Sequence, residues 1–204
     1  MFKLCLVVFV VASTVYGDNI CCFPNEWQAT IQGLSLASSQ GPDGIYGWRE
    51  DIFFDTADEK IRENFMLNDK EQVSYLRLYK ENVAYVFNDQ KCEKYQLKDW
   101  PSVVHCIPKN AEYVSPKYRL GLSPGINVVD YAWQISGDLR IEVSVTDKCS
   151  PVFINILYSV DNDYDFILEE VQNFVPAISN RTVFDVPKIC NNLSQCLVTF
   201  EYEV

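Results

Sequence analysis

Between Val128 and Val160, apolar and polar residues change places at nearly every step. Val129, Tyr131, Trp133 and Ile135 alternate with Asp130, Ala132 and Gln134, and Leu139, Ile141, Val143 and Val145 alternate with Arg140, Glu142 and Ser144. A period of two belongs to an extended chain with one face on a core. Ser136-Gly137-Asp138 and the segment from Thr146 to Pro151 supply turns, so this stretch predicts three consecutive antiparallel strands. In the third, Val152, Ile154, Ile156 and Tyr158 keep the alternation while Phe153 and Leu157 make the second face apolar as well, which predicts cover on both sides.

The same rhythm runs through residues 27–90. Gln28 to Leu36, Ile45 to Phe54, the run holding Ile61, Phe65 and Leu67, the run from Val73 to Tyr79, and Val83 to Phe87 predict about five short strands joined by tight turns. Cys92 to Gly125 is less regular. Trp100-Pro101, Ile107-Pro108, Ser115-Pro116 and Ser123-Pro124 interrupt it, so it reads as a connection crossing between sheets, with one helical turn near Val103. Tyr164, Ile167, Leu168, Val171, Phe174 and Val175 fall on one stripe at helical spacing, Asn162 or Asp163 can cap its start, and Pro176 stops it. This predicts an amphipathic helix over 163–175, packed on the second face of the strand ending at Val160. The fold class expected is therefore all-β dominated, with two antiparallel sheets in a half-barrel or sandwich and one C-terminal helix.

The ends and the charge place this domain. Lys3, the apolar run Leu4 to Ala12 and Val15-Tyr16-Gly17 read as a secretory signal peptide over residues 1–17, leaving 18–204 as a single domain. No other stretch is long or apolar enough to span a bilayer. A formal net charge of −11 argues against nucleic acid and anionic membrane surfaces as partners. In a secreted chain Cys21, Cys22, Cys92, Cys106, Cys149, Cys190 and Cys196 should be largely oxidised, in a connectivity that spacing leaves open. Asn180-Arg-Thr and Asn192-Leu-Ser are N-glycosylation sequons, each requiring an exposed position.

Counting removes most catalytic chemistry. His105 is the only histidine, so any Ser-His-Asp or Cys-His mechanism must pass through it, and no G-x-S-x-G, H-E-x-x-H, phosphate-loop or dinucleotide motif occurs. Asp161, Asp163 and Asp165 resemble the first half of an EF-hand loop, but Phe166 stands where glycine belongs and Gln172 where the bidentate glutamate belongs. They are weak calcium candidates; the competing reading is that they cap the helix. Twelve Tyr, twelve Phe and four Trp are the more informative feature. They fill an ordinary core, or they line an apolar cavity with a few polar handles.

Cys22-x-Pro24-x-x-Trp27, the Cys92 to Pro108 connection ending in Ile107-Pro108-x-x-Ala111, Gly125 with Val128 leading to Trp133, Cys149-Ser-Pro151-Val152 and Phe184-x-Val186-Pro187-x-x-Cys190 appear in this order. On these motifs the chain resembles the ependymin-related proteins over nearly its whole mature length. The resemblance implies two antiparallel sheets similar to the bacterial lipoprotein-carrier fold, with a deep hydrophobic pocket and a homodimer. It also implies a non-catalytic secreted glycoprotein that binds a lipid or fatty-acid-like molecule, with no organic cofactor; calcium binding and extracellular-matrix adhesion are the alternative role. Trp48, Phe54, Tyr75, Tyr131, Trp133 and Tyr158 are the wall residues expected for such a pocket. The implied disulfides are Cys22 (or Cys21) with Cys149, and Cys92 with Cys190. Cys106 and Cys196 are left to pair with each other, which frees Cys21 or Cys22 for an intermolecular bridge.

Overall fold

The computed structural model describes residues 20–37, 44–67, 71–97, 106–121, 124–160 and 163–191. Among the described residues run thirteen strands: β1 (Cys21–Cys22), β2 (Glu26–Ala37), β3 (Ile45–Asp55), β4 (Lys60–Leu67), β5 (Glu71–Leu78), β6 (Val83–Phe87), β7 (Cys92–Gln96), β8 (Cys106–Ile107), β9 (Glu112–Leu120), β10 (Ile126–Ser136), β11 (Leu139–Thr146), β12 (Pro151–Val160) and β13 (Asp163–Val175). They form two antiparallel sheets of very unequal size. One is open and eleven-stranded, in the order β7-β6-β5-β4-β3-β2-β13-β12-β11-β10-β9, and the other is the β1-β8 pair. The large sheet is two meanders, β2 to β7 and β9 to β13, joined where β2 pairs with β13.

Register sorts the side chains onto two faces, because residues directly opposite each other in an antiparallel pair share a side. Trp48 opposes Gly33, Gly33 opposes Glu169, Glu169 opposes Ile154, Ile154 opposes Val143, and Val143 opposes Tyr131. This row and its parallels carry the core residues Ile31, Ile52, Phe54, Ile61, Phe65, Ile141 and Ile156, so we term this face inner. The two ends of the sheet are covered on opposite faces. At the β10–β12 end, Phe23 and Ile107 from the small sheet and its flank pack on Trp133, Leu139, Ile141, Val143 and Ile156 of the inner face. At the β5–β7 end, Ile178, Phe184 and Cys190 pack on Leu76, Leu78, Val83, Tyr85 and Phe87 of the outer face.

Disulfides fasten both covers. Cys21 joins Cys149 and Cys22 joins Cys106, holding the small sheet down; Cys92 joins Cys190, holding the segment after β13. Cys106 is thus bonded to Cys22 and not to Cys196, and neither Cys21 nor Cys22 is spare. The β1–β8 register places Cys22 directly opposite Cys106, a juxtaposition that sequence spacing does not reveal. Cys196 and Asn192 lie outside the described residues. The last cover is also pinned by charge. Arg181 donates to Glu26 Oε1 at 2.6 Å, to Asp58 Oδ2 at 3.1 Å and to the fully buried Asp55.

Residues 163–175 form a strand, not a helix. Phe166, Leu168, Glu170 and Gln172 point outward, while Asp165, Ile167, Glu169 and Val171 point inward. The pairing with β2 then slips between Gln172 and Val175, where Asn173 adopts φ 52°. That bulge returns Phe174 to the inner side, against Ala29, Ile31 and Ile52. Apolar residues on both faces, plus one inserted residue, mimic a 3.6 period. Consequently no helix of the described residues lies on the outer face of β12, where Leu157 is exposed beside exposed Leu34 and Leu168. The Cys92 to Gly125 segment is likewise more regular than expected, since β7, β8 and β9 fall within it. Pro116 is tolerated in β9 because β9 is the sheet edge and its pairing to β10 is already irregular between Val128 and Tyr131. Val103 and His105 lie outside the described residues.

Candidate functional site

All six aromatic residues expected to line a pocket fall on the inner face, but they do not form one cluster. Trp133 is buried in the apolar group at the β10–β12 end, with Tyr131 and Tyr158 packed at its margin. Tyr131 meets Tyr113 edge-on, ring centroids 6.1 Å apart. Phe54 is buried against Ile61 and stacks on Trp27 at 5.4 Å. Trp48 and Tyr75 stand elsewhere, on either side of Phe65 in the middle of the sheet. Trp48 stacks with Phe65 at 6.3 Å, and the Arg77 guanidinium lies 5.4 Å from the centre of the Tyr75 ring.

Between these groups the inner face carries a line of charge. Arg77 on β5 opposes Ile61 on β4, and Glu63 is two residues further along β4. Glu63 opposes Ile52 on β3, with Glu50 two residues away; Glu50 opposes Ile31 on β2, with Gly33 two residues away; and Gly33 opposes Glu169 on β13. Arg77, Glu63, Glu50 and Gly33 therefore step diagonally across four adjacent strands, each step roughly 7–8 Å, and Glu169 lies directly opposite Gly33 on a fifth, roughly 5 Å away. One flank of this diagonal is aromatic, with Tyr75, Phe65 and Trp48 in the same stagger; the other is aliphatic, with Ile61, Ile52, Ile31 and Val171. At Gly33 the two lines touch. A Cβ there would sit 2.0 Å from Trp48 Cε2, so only glycine lets the indole lie across β2 towards Glu169.

Arg77 and Glu63 form an ion pair at 2.5 Å with side chains 4% and 0% exposed, and Glu50 is buried too. A sheet core gains nothing from such groups. Taking a charge out of water costs several kcal/mol, which a partner repays only with complete hydrogen bonding. Here the bonding is incomplete: Arg77 takes Glu63 Oε2, while buried Glu63 Oε1 has no partner. Burial, then the neighbouring charges of Glu63 and Glu169, hold the Glu50 carboxyl well above its ordinary range, with Arg77 offsetting part of the rise. Burial first and Glu63 second push Glu169 up to about 8. Glu169 thus keeps its proton at neutral pH, Glu50 is shifted in the same direction, and chemistry of this kind collects at functional sites.

None of these four residues belongs to a recognisable motif, yet each left a trace in the sequence. Glu50 lies between Trp48 and Ile52, Glu63 between Ile61 and Phe65, Glu169 between Ile167 and Val171, and Arg77 follows Tyr75 by two. Every one is a charge in the apolar phase of its strand. For Glu169 the helical reading hid the phase altogether.

Of the calcium candidates, Asp161 is outside the described residues, Asp163 opens β13, and Asp165 follows on the same extended strand. No group of three His, Cys, Asp or Glu suited to a metal occurs among the described residues. Asp165 Oδ1 is buried without a partner, opposite Tyr158 on β12. Asn180 is exposed at the start of the 3-10 turn Arg181–Phe184, and its Oδ1 accepts from the Thr182 amide and hydroxyl. No helix among the described residues is long and apolar enough to cross a membrane.

A family model described as Ependymin matches residues 67–190. Ependymin-related protein 1 of Haliotis asinina is 24% identical over 208 residues, an alignment covering 90% of this chain and 96% of that protein. Among solved structures, an uncharacterized conserved protein from Thermus thermophilus superposes with a TM-score of 0.51 at 12% identity, covering 81% of this chain and 87% of the other. A LolA superfamily protein from Nitrosomonas europaea gives a TM-score of 0.43 at 7% identity, over 81% of this chain and 92% of its own. At these identities the structural likeness concerns the fold alone.

Proposed function

This chain belongs to the ependymin family, and on that premise we propose that it is a secreted, glycosylated, non-catalytic binder of a hydrophobic small molecule, a lipid or fatty-acid-like amphiphile, held against the inner face of the large sheet. The observation that carries this reading is the inner-face diagonal. Buried charges flanked by Tyr75, Phe65 and Trp48 on one side and by Ile61, Ile52 and Ile31 on the other give a ligand both apolar contact and a polar end. Apolar surface removed from water is worth about 25 cal/mol per Å² before ordering costs are subtracted. Three disulfides that clamp the covers favour a rigid, extracellular scaffold. Trp48 and Tyr75 are the wall residues of this reading, while Phe54 and Trp133 serve the core and Tyr131 and Tyr158 sit at its margin. Exposed Asn180 is the glycan acceptor, and the functional unit is a homodimer.

The test is native mass spectrometry of the secreted protein, followed by organic extraction of whatever travels with it. The expected result is a defined amphiphile in fixed ratio to the chain. An empty protein that also fails to take up a fluorescent fatty acid, yet associates when calcium is added, would instead make it a matrix or adhesion glycoprotein.

A further inference from the structure

The inner-face diagonal sets three carboxyls against a single guanidinium, and their arrangement selects the sign of what binds there. Arg77 is already engaged with Glu63 Oε2, which leaves Glu63 Oε1 as a buried acceptor with no donor. Glu50 lies one strand further along, and Glu169 beyond Gly33. A ligand carboxylate would add a second desolvated negative charge close to that of Glu63, which already raises its two carboxyl neighbours. A primary ammonium brings three N–H donors and no acceptor, and so complements the unpartnered Glu63 Oε1 and, by displacing a proton, the neighbouring carboxyls. The aromatic flank adds to this, since the faces of Trp, Tyr and Phe attract a cation within about 6 Å.

We propose that Glu50, Glu63 and Glu169 receive the protonated amine of an otherwise aliphatic ligand, with Trp48, Phe65 and Tyr75 beside the amine and the chain laid along the apolar inner face. This deepens the reading of the inner face as an apolar ligand site and rests on it. The titration behaviour agrees: burial raises both carboxyls, Glu169 up to about 8, and an arriving ammonium favours their ionised forms. The amine therefore enters as a cation, and the proton it displaces from a carboxyl leaves to the buffer.

The experiment compares decylamine, decanol and decanoic acid, each below its aggregation concentration, by calorimetric titration of the full secreted protein at pH 7. The runs are repeated in two buffers of different ionisation enthalpy. Decylamine should bind at least about tenfold tighter than decanoic acid, since one charge-assisted hydrogen bond against one repulsive contact accounts for that ratio. Its heat should depend on the buffer in the direction of proton release. The isosteric variants Glu169→Gln and Glu50→Gln should each cut the ratio of amine to alcohol affinity several-fold. They keep side-chain volume, and circular dichroism confirms that they fold. Equal or stronger binding of decanoic acid overturns the amine assignment and leaves the apolar-ligand reading standing. Amine binding that neither releases protons nor responds to either variant also overturns it. Failure of all three probes to bind removes both readings together.

Discussion

Gly33 shows how one missing side chain can organise a site. Its backbone needs no left-handed conformation; the constraint is space, because Trp48 occupies the volume a Cβ would fill. In Gly33→Ala the indole must leave β2, which disturbs its stacking on Phe65. Overpacking of this kind costs about 1–3 kcal/mol, so the variant should fold, with a shifted tryptophan emission and little retained amphiphile. Trp133→Ala makes the contrast. Trp133 is 6% exposed within the largest apolar cluster, and removing a buried aromatic there should lower stability by about 3–5 kcal/mol. Chemical denaturation with ligand extraction on both variants separates the roles. A Trp133→Ala protein of undiminished stability, or a Gly33→Ala protein that retains its ligand, would reverse the assignment of core and wall.

At the level of elements, the outer face of β5, β6 and β7 depends on a segment with little regular structure of its own. Residues 178–190 bring Ile178, Phe184 and Cys190 onto Leu76, Leu78 and Val83, and the only described covalent tie is Cys92–Cys190. The bond closes a loop with a sequence separation of 98, worth about 4–5 kcal/mol in the chain-entropy model. The double variant Cys92→Ser/Cys190→Ser should lose that order of stability. Proteolysis should cut it first within 178–190, with the β10–β12 end still protected by its own two bonds. Uniform loss of protection would mean that the covers are not separate units. This division also explains what could be read from the chain beforehand. Strands β2 to β6 and β10 to β12 were legible because each buries one face, or is bounded by turn residues, and so keeps a period of two. β13 was misread because a bulge at Asn173 and two apolar faces together imitate a helix. β9 was hidden by Pro116, which an edge strand can carry. The inner-face position of the six aromatics followed from phase alone, but their separation into three groups depends on strand order, which phase does not contain. The acids were missed for the opposite reason: each breaks a pattern that is most easily recognised where it holds.

For the molecule as a whole, the buried acids tilt stability against pH. Glu169 keeps its proton up to about pH 8 in the folded protein, whereas in the unfolded chain it releases it near the ordinary 4.5. Between those values the folded state binds more protons, so raising the pH draws the equilibrium towards unfolding and stability falls across the window. Glu50, raised chiefly by burial, acts in the same direction. Glu93, lowered by its hydrogen bonds from Tyr95 and Lys91, has the opposite sense, but what it contributes is lost only as pH drops below the ordinary carboxyl value, outside this window. Self-repulsion of a chain with net charge −11 changes little there, because its surface carboxylates are already ionised. The midpoint of thermal unfolding should therefore be higher at pH 5.5 than at pH 8 in ligand-free protein. Glu169→Gln, which cannot ionise, should flatten much of that slope and gain most at the alkaline end. A wild-type midpoint that stays level or rises between pH 5.5 and 8 would show that these carboxyls are solvated in the folded state. The inner face would then lack the dry, acid-lined middle on which recognition of an amphiphile depends.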